Sequence, residues 1–242
     1  MIDLLLIAVV AGVTWCVASE GAWGAAFTLL SVIVSGLVAM SLFESVANFL
    51  QQTLANSYEW QHRWDIIALV GLIAACVFGL RAALEHVMPV DIEVHAMVYD
   101  VARWGCAFLT GYVTMAFLLT ALHTAPLPRE FMGFTPEPER RSGPLGSLAP
   151  DFQWMGFTQY VTENAFRRGS VGPVWDGPTY AIVAGARGEP GEVKVWPSFP
   201  IRYASRRAQY FGSAGAAAPA SAPGGGVPVQ TVPSGGSGTS NF

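Results

Sequence analysis

The chain has 242 residues, 52% of them hydrophobic and only 12% charged, with a net charge of −4 and a mean hydropathy of +0.40. That charged fraction is about half of what soluble domains carry, which argues against a single water-exposed globule. The acidic balance argues against nucleic acid as a partner.

The first run, about residues 2–19, is apolar but opens Met1-Ile2-Asp3, and no Lys or Arg occurs before Arg63. A secretory signal starts with positive charge, so this run reads as a short membrane helix with Asp3 at one interface. Ser19-Glu20-Gly21 leaves room for a tight reversal, and a second apolar helix follows over about 22–42. Ser31 and Ser35, one turn apart, favour close helix contact. Trp23 suits an aromatic belt.

Residues 43–60 change character. Phe43, Val46, Ala47, Leu50, Leu54 and Tyr58 form a stripe opposite Glu44, Asn48, Gln51, Gln52 and Asn56. An amphipathic helix is expected here, lying in the membrane surface, capping the bundle or serving as a solvated connector. Its polar face carries no Lys or Arg, so it is no typical binder of anionic lipid.

The third apolar run, about 65–85, places Gly71, Ala75 and Gly79 every fourth residue, a ridge suited to close helix approach. Arg81 lies where it can snorkel to the interface. Pro89 breaks the chain in a connector holding His86 and His95 among acids. The spacing matches no zinc motif, so a solvated loop is expected. Cys16, Cys76 and Cys106 sit in three different apolar runs. They read as small hydrophobes, not as a disulfide or metal framework.

The fourth run, about 97–123, is two-faced. Asp100, Arg103, Ala107, Thr110, Gly111, Thr114 and Ala121 make a small, polar side. Val101, Trp104, Phe108, Tyr112, Met115, Leu119 and Leu122 make a bulky one. Greasiness alone does not join helices in lipid, whereas small residues and Thr hydroxyls do, so the small side is expected to face partner helices. Asp100 and Arg103 are expected to form a structural ion pair; a solute or proton path is the alternative.

Past Pro126 the composition shifts to Pro, Gly, Arg and aromatics. A short helix is expected over about 151–166, capped by Asp151, with Trp154, Phe157, Val161 and Ala165 on one face that rests on the membrane surface or on the bundle. A hairpin is expected from Thr179–Ala184 and Glu192–Trp196. Arg202, Arg206 and Arg207 alternate with Tyr203, Tyr210 and Phe211, reading as solvated charges beside anchoring aromatics or as a patch for an acidic partner. Residues 212–242 carry no charge and are rich in Ala, Pro, Gly and Ser, a disorder signature. The expected fold class is thus an all-α membrane protein: a four-helix transmembrane bundle (1–123) with an amphipathic connector helix, then a mostly irregular C-terminal tail (124–211 and 212–242).

Four crossings would put both termini on one side. Arg63, Arg129, Arg140 and Arg141 against Arg81 and Arg103 lean that side toward the cytoplasm.

The layout resembles the colicin V production protein family, small bacterial inner-membrane proteins with four helices. The resemblance covers about Met1–His123 and rests on Ile2-Asp3-Leu4, on Gly21 in the first reversal, and on Asp100 followed by Gly105 and Gly111. The tail segments from Pro150 to Phe157 and from Phe199 to Tyr203 are similar to those of divergent members. The chain lacks the basic first loop of the family, and Arg103 is displaced from the family's Asp-Arg pair. Relatives' basic loop would put their termini outside, opposite to the local Arg count here.

The resemblance implies a multi-pass inner-membrane protein associated with toxin export or envelope maintenance, without catalytic residues or cofactor. Its partners would be the lipid bilayer and other membrane proteins or a second copy. The residues expected to serve packing or a pathway are Asp3, Gly21, Gly71, Gly79, Asp100, Arg103, Gly105, Thr110, Gly111 and Thr114. A small-solute or ion transporter acting as an oligomer is the competing expectation. A membrane enzyme is disfavoured, because Cys106, Thr110 and Thr114 have no base at their depth.

Overall fold

In the computed structural model the described residues are 2–54, 60, 63–87, 95–127, 134–135, 148–164, 180–184, 192–196, 199–200, 202–204 and 206–207. They make an all-α membrane fold: α1 (Ile2–Ala18), α2 (Gly21–Thr53), α3 (Trp64–Val87) and α4 (Ala96–Thr124), with α5 (Pro150–Asn164) laid against α4. Three helices are long and apolar enough to cross a bilayer: Gly21–Thr53, Trp64–Leu84 and Ala96–Thr124. α1, with 17 residues, spans about 26 Å, just under the roughly 30 Å of a hydrocarbon core.

α4 is the hub. It packs on α1 along one side, on α2 along another, and receives α5 toward its C-terminal end, while α3 packs mainly on α2. A short antiparallel hairpin pairs β1 (Tyr180–Ala184) with β2 (Glu192–Trp196), Tyr180 opposite Trp196 and Ala184 opposite Glu192. The expected disordered stretch 212–242, together with Tyr58, Arg140, Arg141, Tyr210 and Phe211, lies outside the described residues.

The second apolar run and the amphipathic connector are one helix, not two. No Gly or Pro interrupts Leu37–Thr53, so nothing in the backbone ends α2 at residue 42. At 33 residues α2 is about 50 Å long and outlasts the hydrocarbon by several turns. Its stripe faces the core: Phe43 and Ala47 are buried, with Val46 and Leu50 packed beside them. Leu54 ends the stripe in the open.

α5 also buries a different face from the one its aromatics suggest. Asp151, Trp154, Met155, Thr158 and Thr162 are enclosed, whereas Phe157 is exposed. The threonine hydroxyls satisfy themselves on carbonyls one turn back, Thr158 on Trp154 O and Thr162 on Thr158 O. Small polar side chains that close their own hydrogen bonds enter a packed face at little cost. Periodicity of bulk alone does not register them.

Candidate functional site

The bundle carries polar contacts at two ends. At one end α1 turns into α2 at Gly21, whose φ of +88° falls in the left-handed region. Glycine adopts that conformation without steric penalty. Beside the turn Glu20 accepts from Arg81 at 2.6 Å and from the Thr28 hydroxyl at 3.2 Å. Arg81 therefore ties α3 to the first reversal instead of reaching freely into headgroups.

The expected Asp100–Arg103 ion pair is absent among the described residues. Arg103 Nε instead donates to the carbonyl of Ala18 at 2.5 Å, and its guanidinium lies 5.6 Å from the Trp104 ring centroid. A cation on the last carbonyl of a helix satisfies an orphan acceptor and the negative end of the dipole. That carbonyl is a better-placed partner than Asp100, which is exposed to solvent. Asp3 begins the first turn of α1, where its charge suits the helix N-terminus.

The small side of α4 does face the bundle in its central part. Ala107, Thr110, Gly111 and Ala121 are buried. A Cβ on Gly111 would lie 2.8 Å from Val10 O and 2.9 Å from Thr14 Oγ1, so only glycine lets α1 approach this closely. Thr110 and Thr114 donate to carbonyls of their own helix, Cys106 O and Thr110 O, and so knit α4 internally instead of bridging to a neighbour. Ser31 and Ser35 are likewise buried in the bundle. The bulky side splits. Val101, Trp104 and Phe108 are exposed, while Met115 and Leu119 are buried with Leu6 and Phe134.

Among the described residues nothing packs closely on Gly71, Ala75 and Gly79. All three are exposed, and a Cβ on either glycine would meet nothing within 4 Å. Only 11% of the apolar window of α3 is buried, against 44% for α2 and 50% for α4. Gly105 is similarly exposed, with open space around it.

The other end is where the tail closes on the bundle. His123 Nε2 and Asp151 Oδ2 are 2.7 Å apart, both side chains fully enclosed, under the rings of Phe134 and Phe152. Trp154 fills a notch made by Gly36, where a Cβ would come within 2.5 Å of the indole, and meets Phe117 edge to face. Tyr112 donates to Gln153 Oε1 at 2.7 Å.

The basic-aromatic patch finds its acids inside the same chain. Arg202 pairs with Glu44 of α2 at 2.7 Å and Arg206 with Asp65 of α3 at 2.9 Å. Phe199 and Tyr203 are buried between them, against Phe43. Burial pushes the Tyr203 phenol well above the usual tyrosine range. The Asp65 and Glu44 carboxylates add to that rise, and Arg206 and Arg202 oppose it.

Sequence reasoning missed His123, Asp151 as its partner, and Gly36. The pairing spans 28 residues, and neither position repeats at a period. A His in the last turn of an apolar helix was the one available sign.

Among the described residues no three His, Cys, Asp or Glu side chains converge as a metal would require. No protein-family model, no curated protein and no solved structure matches this chain.

Proposed function

We propose that this is a non-enzymatic, multi-pass protein of the bacterial inner membrane that works by docking other membrane proteins, assisting toxin export or envelope maintenance as the colicin V production resemblance implies. The observation that carries the reading is the outward face of α3. A helix inside a single-chain bundle has no use for Gly71, Ala75 and Gly79 on its lipid side. Small residues there let a second helix backbone come close, which is how helices associate in lipid. Among the described residues the tail packs on the bundle through Trp154, Phe199 and Tyr203 and leaves that face open. Photo-crosslinkers placed along α3 in native membranes test the reading. Position 75, which leaves both glycines in place, should capture one defined membrane partner or a second copy, and the loss of that adduct in Gly71→Ile/Gly79→Ile would tie it to the ridge.

A second reading, an oligomeric transporter or channel, draws on His123, enclosed in the last turn of α4 and paired with Asp151 of the tail, because an ionisable residue inside a membrane helix is by default a candidate for a substrate, ion or proton path. Reconstituted vesicles that show no proton, ion or small-solute flux would remove it.

A further inference from the structure

α1 and α4 run antiparallel, joined closely at Gly111, and diverge on the outer side into an apolar groove of about 490 Å³. Ile7, Ala11, Trp15, Trp104, Phe108 and Met115 line it, with almost no polar surface. That volume falls in the range of about 300–1,000 Å³ typical of single-ligand clefts. From Ile7 to Trp15 the groove runs about 12 Å along the helix axis, close to the roughly 15 Å depth of one leaflet's hydrocarbon. Trp15 and Trp104, both exposed, stand together at one end, as interfacial tryptophans do.

The chemistry at that end is specific. Arg103 donates its Nε hydrogen to Ala18 O and its guanidinium lies 5.6 Å from the ring centroid of the groove-lining Trp104, and a guanidinium carries four further N–H donors. Asp100 lies one helical turn above Trp104, exposed and without a hydrogen bond or ion pair among the described residues. A cation and an anion one turn apart, not paired to each other, thus flank Trp104 at the end of an acyl-sized apolar groove.

We infer that the α1–α4 groove holds one acyl chain of an aminophospholipid, with the lipid phosphate on Arg103 and its ammonium on Asp100. An anionic phospholipid without an amine satisfies Arg103 but meets repulsion or nothing at Asp100, so the zwitterionic headgroup is preferred. The inference requires only that the apolar helices lie in a bilayer. It does not depend on α3 docking a partner, and the two ideas fail separately.

The test uses the full chain in vesicles containing phosphatidylethanolamine or phosphatidylglycerol analogues that carry the same photoreactive acyl chain. With phosphatidylethanolamine, label should concentrate on the α1 and α4 segments that line the groove. Ala11→Trp, which fills the groove, should lower it at least fivefold, while Ala8→Trp on the exposed side of α1 should not. The phosphatidylglycerol analogue should label at least threefold less, and Asp100→Asn should erase that preference while leaving the label in place. Equal labelling of wild type and Ala11→Trp, an equal drop in Ala8→Trp, or equal labelling by the two lipids would overturn the inference. Should Ala11→Trp not fold, the headgroup comparison in wild type and Asp100→Asn decides alone. A chain that does not float with vesicles overturns the inference together with the membrane placement. A chain that floats and labels as expected but never crosslinks through α3 leaves the inference standing and removes the docking role.

Discussion

His123 of α4 and Asp151 of α5 meet at 2.7 Å with neither side chain exposed to solvent. The pair fixes a tail helix to the membrane bundle through the least forgiving kind of contact. Two polar groups taken out of water gain little over an apolar pair, but either one left alone is costly. Asp151→Ala or His123→Ala should therefore each lower stability by about 3–5 kcal/mol, read as loss of the thermal transition in detergent. The double change Asp151→Leu/His123→Leu should recover most of that loss. A strictly additive double mutant contradicts the coupling.

The clamp formed by Phe199, Arg202, Tyr203 and Arg206 divides differently. Its ion pairs are partly exposed, Arg202 34% against Glu44 44%, and Arg206 44% against Asp65 17%. Pairs of that exposure contribute roughly 0–1 kcal/mol each. Phe199 and Tyr203, at 0% and 2% exposure, are worth about 3–5 kcal/mol each when truncated to Ala. Limited proteolysis should release the C-terminal tail readily from Phe199→Ala and Tyr203→Ala, and hardly faster than wild type from Arg202→Ala or Arg206→Ala.

Alkaline pH should loosen the same clamp. The folded Tyr203 phenol titrates above its unfolded value because it is buried, with Asp65 and Glu44 beside it. Its contribution is complete below about pH 10, the unfolded tyrosine value, and falls as pH rises beyond that. Between pH 9 and 11 wild type should lose more stability than Tyr203→Phe, measured by tail proteolysis at both pH values. Parallel losses would contradict the burial of that hydroxyl.

Glycines of equal standing in the sequence should behave unequally. Gly111→Ala places a methyl 2.8 Å from the Val10 carbonyl, an overpacking that costs about 1–3 kcal/mol. Gly105→Ala, Gly71→Ala and Gly79→Ala meet open space and should leave the thermal midpoint of the isolated chain unchanged or slightly raised.

Much of the fold was legible because membrane helices are written in long apolar runs. The small side of α4, the turn at Gly21 and both hairpin strands lie where residue type and alternation put them. What escaped was long-range. Arg103 chose a carbonyl on α1 over an acid one turn away. Arg202 and Arg206 reached 158 and 141 residues back to Glu44 and Asp65. Gly36 is a notch only once Trp154 arrives. Local pattern sets which side of a helix is small or polar, and the tertiary approach decides whether that side meets the chain's own helices, as at Gly111, or stays open, as at Gly71.

The docking account is tested most directly by crosslinkers at Ala75, on the open face of α3, and at Leu69, enclosed against α2 and the tail. The account predicts a single adduct of defined mass from Ala75 that disappears in Gly71→Ile/Gly79→Ile, and none from Leu69. Equal capture at both positions, or none above background at Ala75, would contradict it.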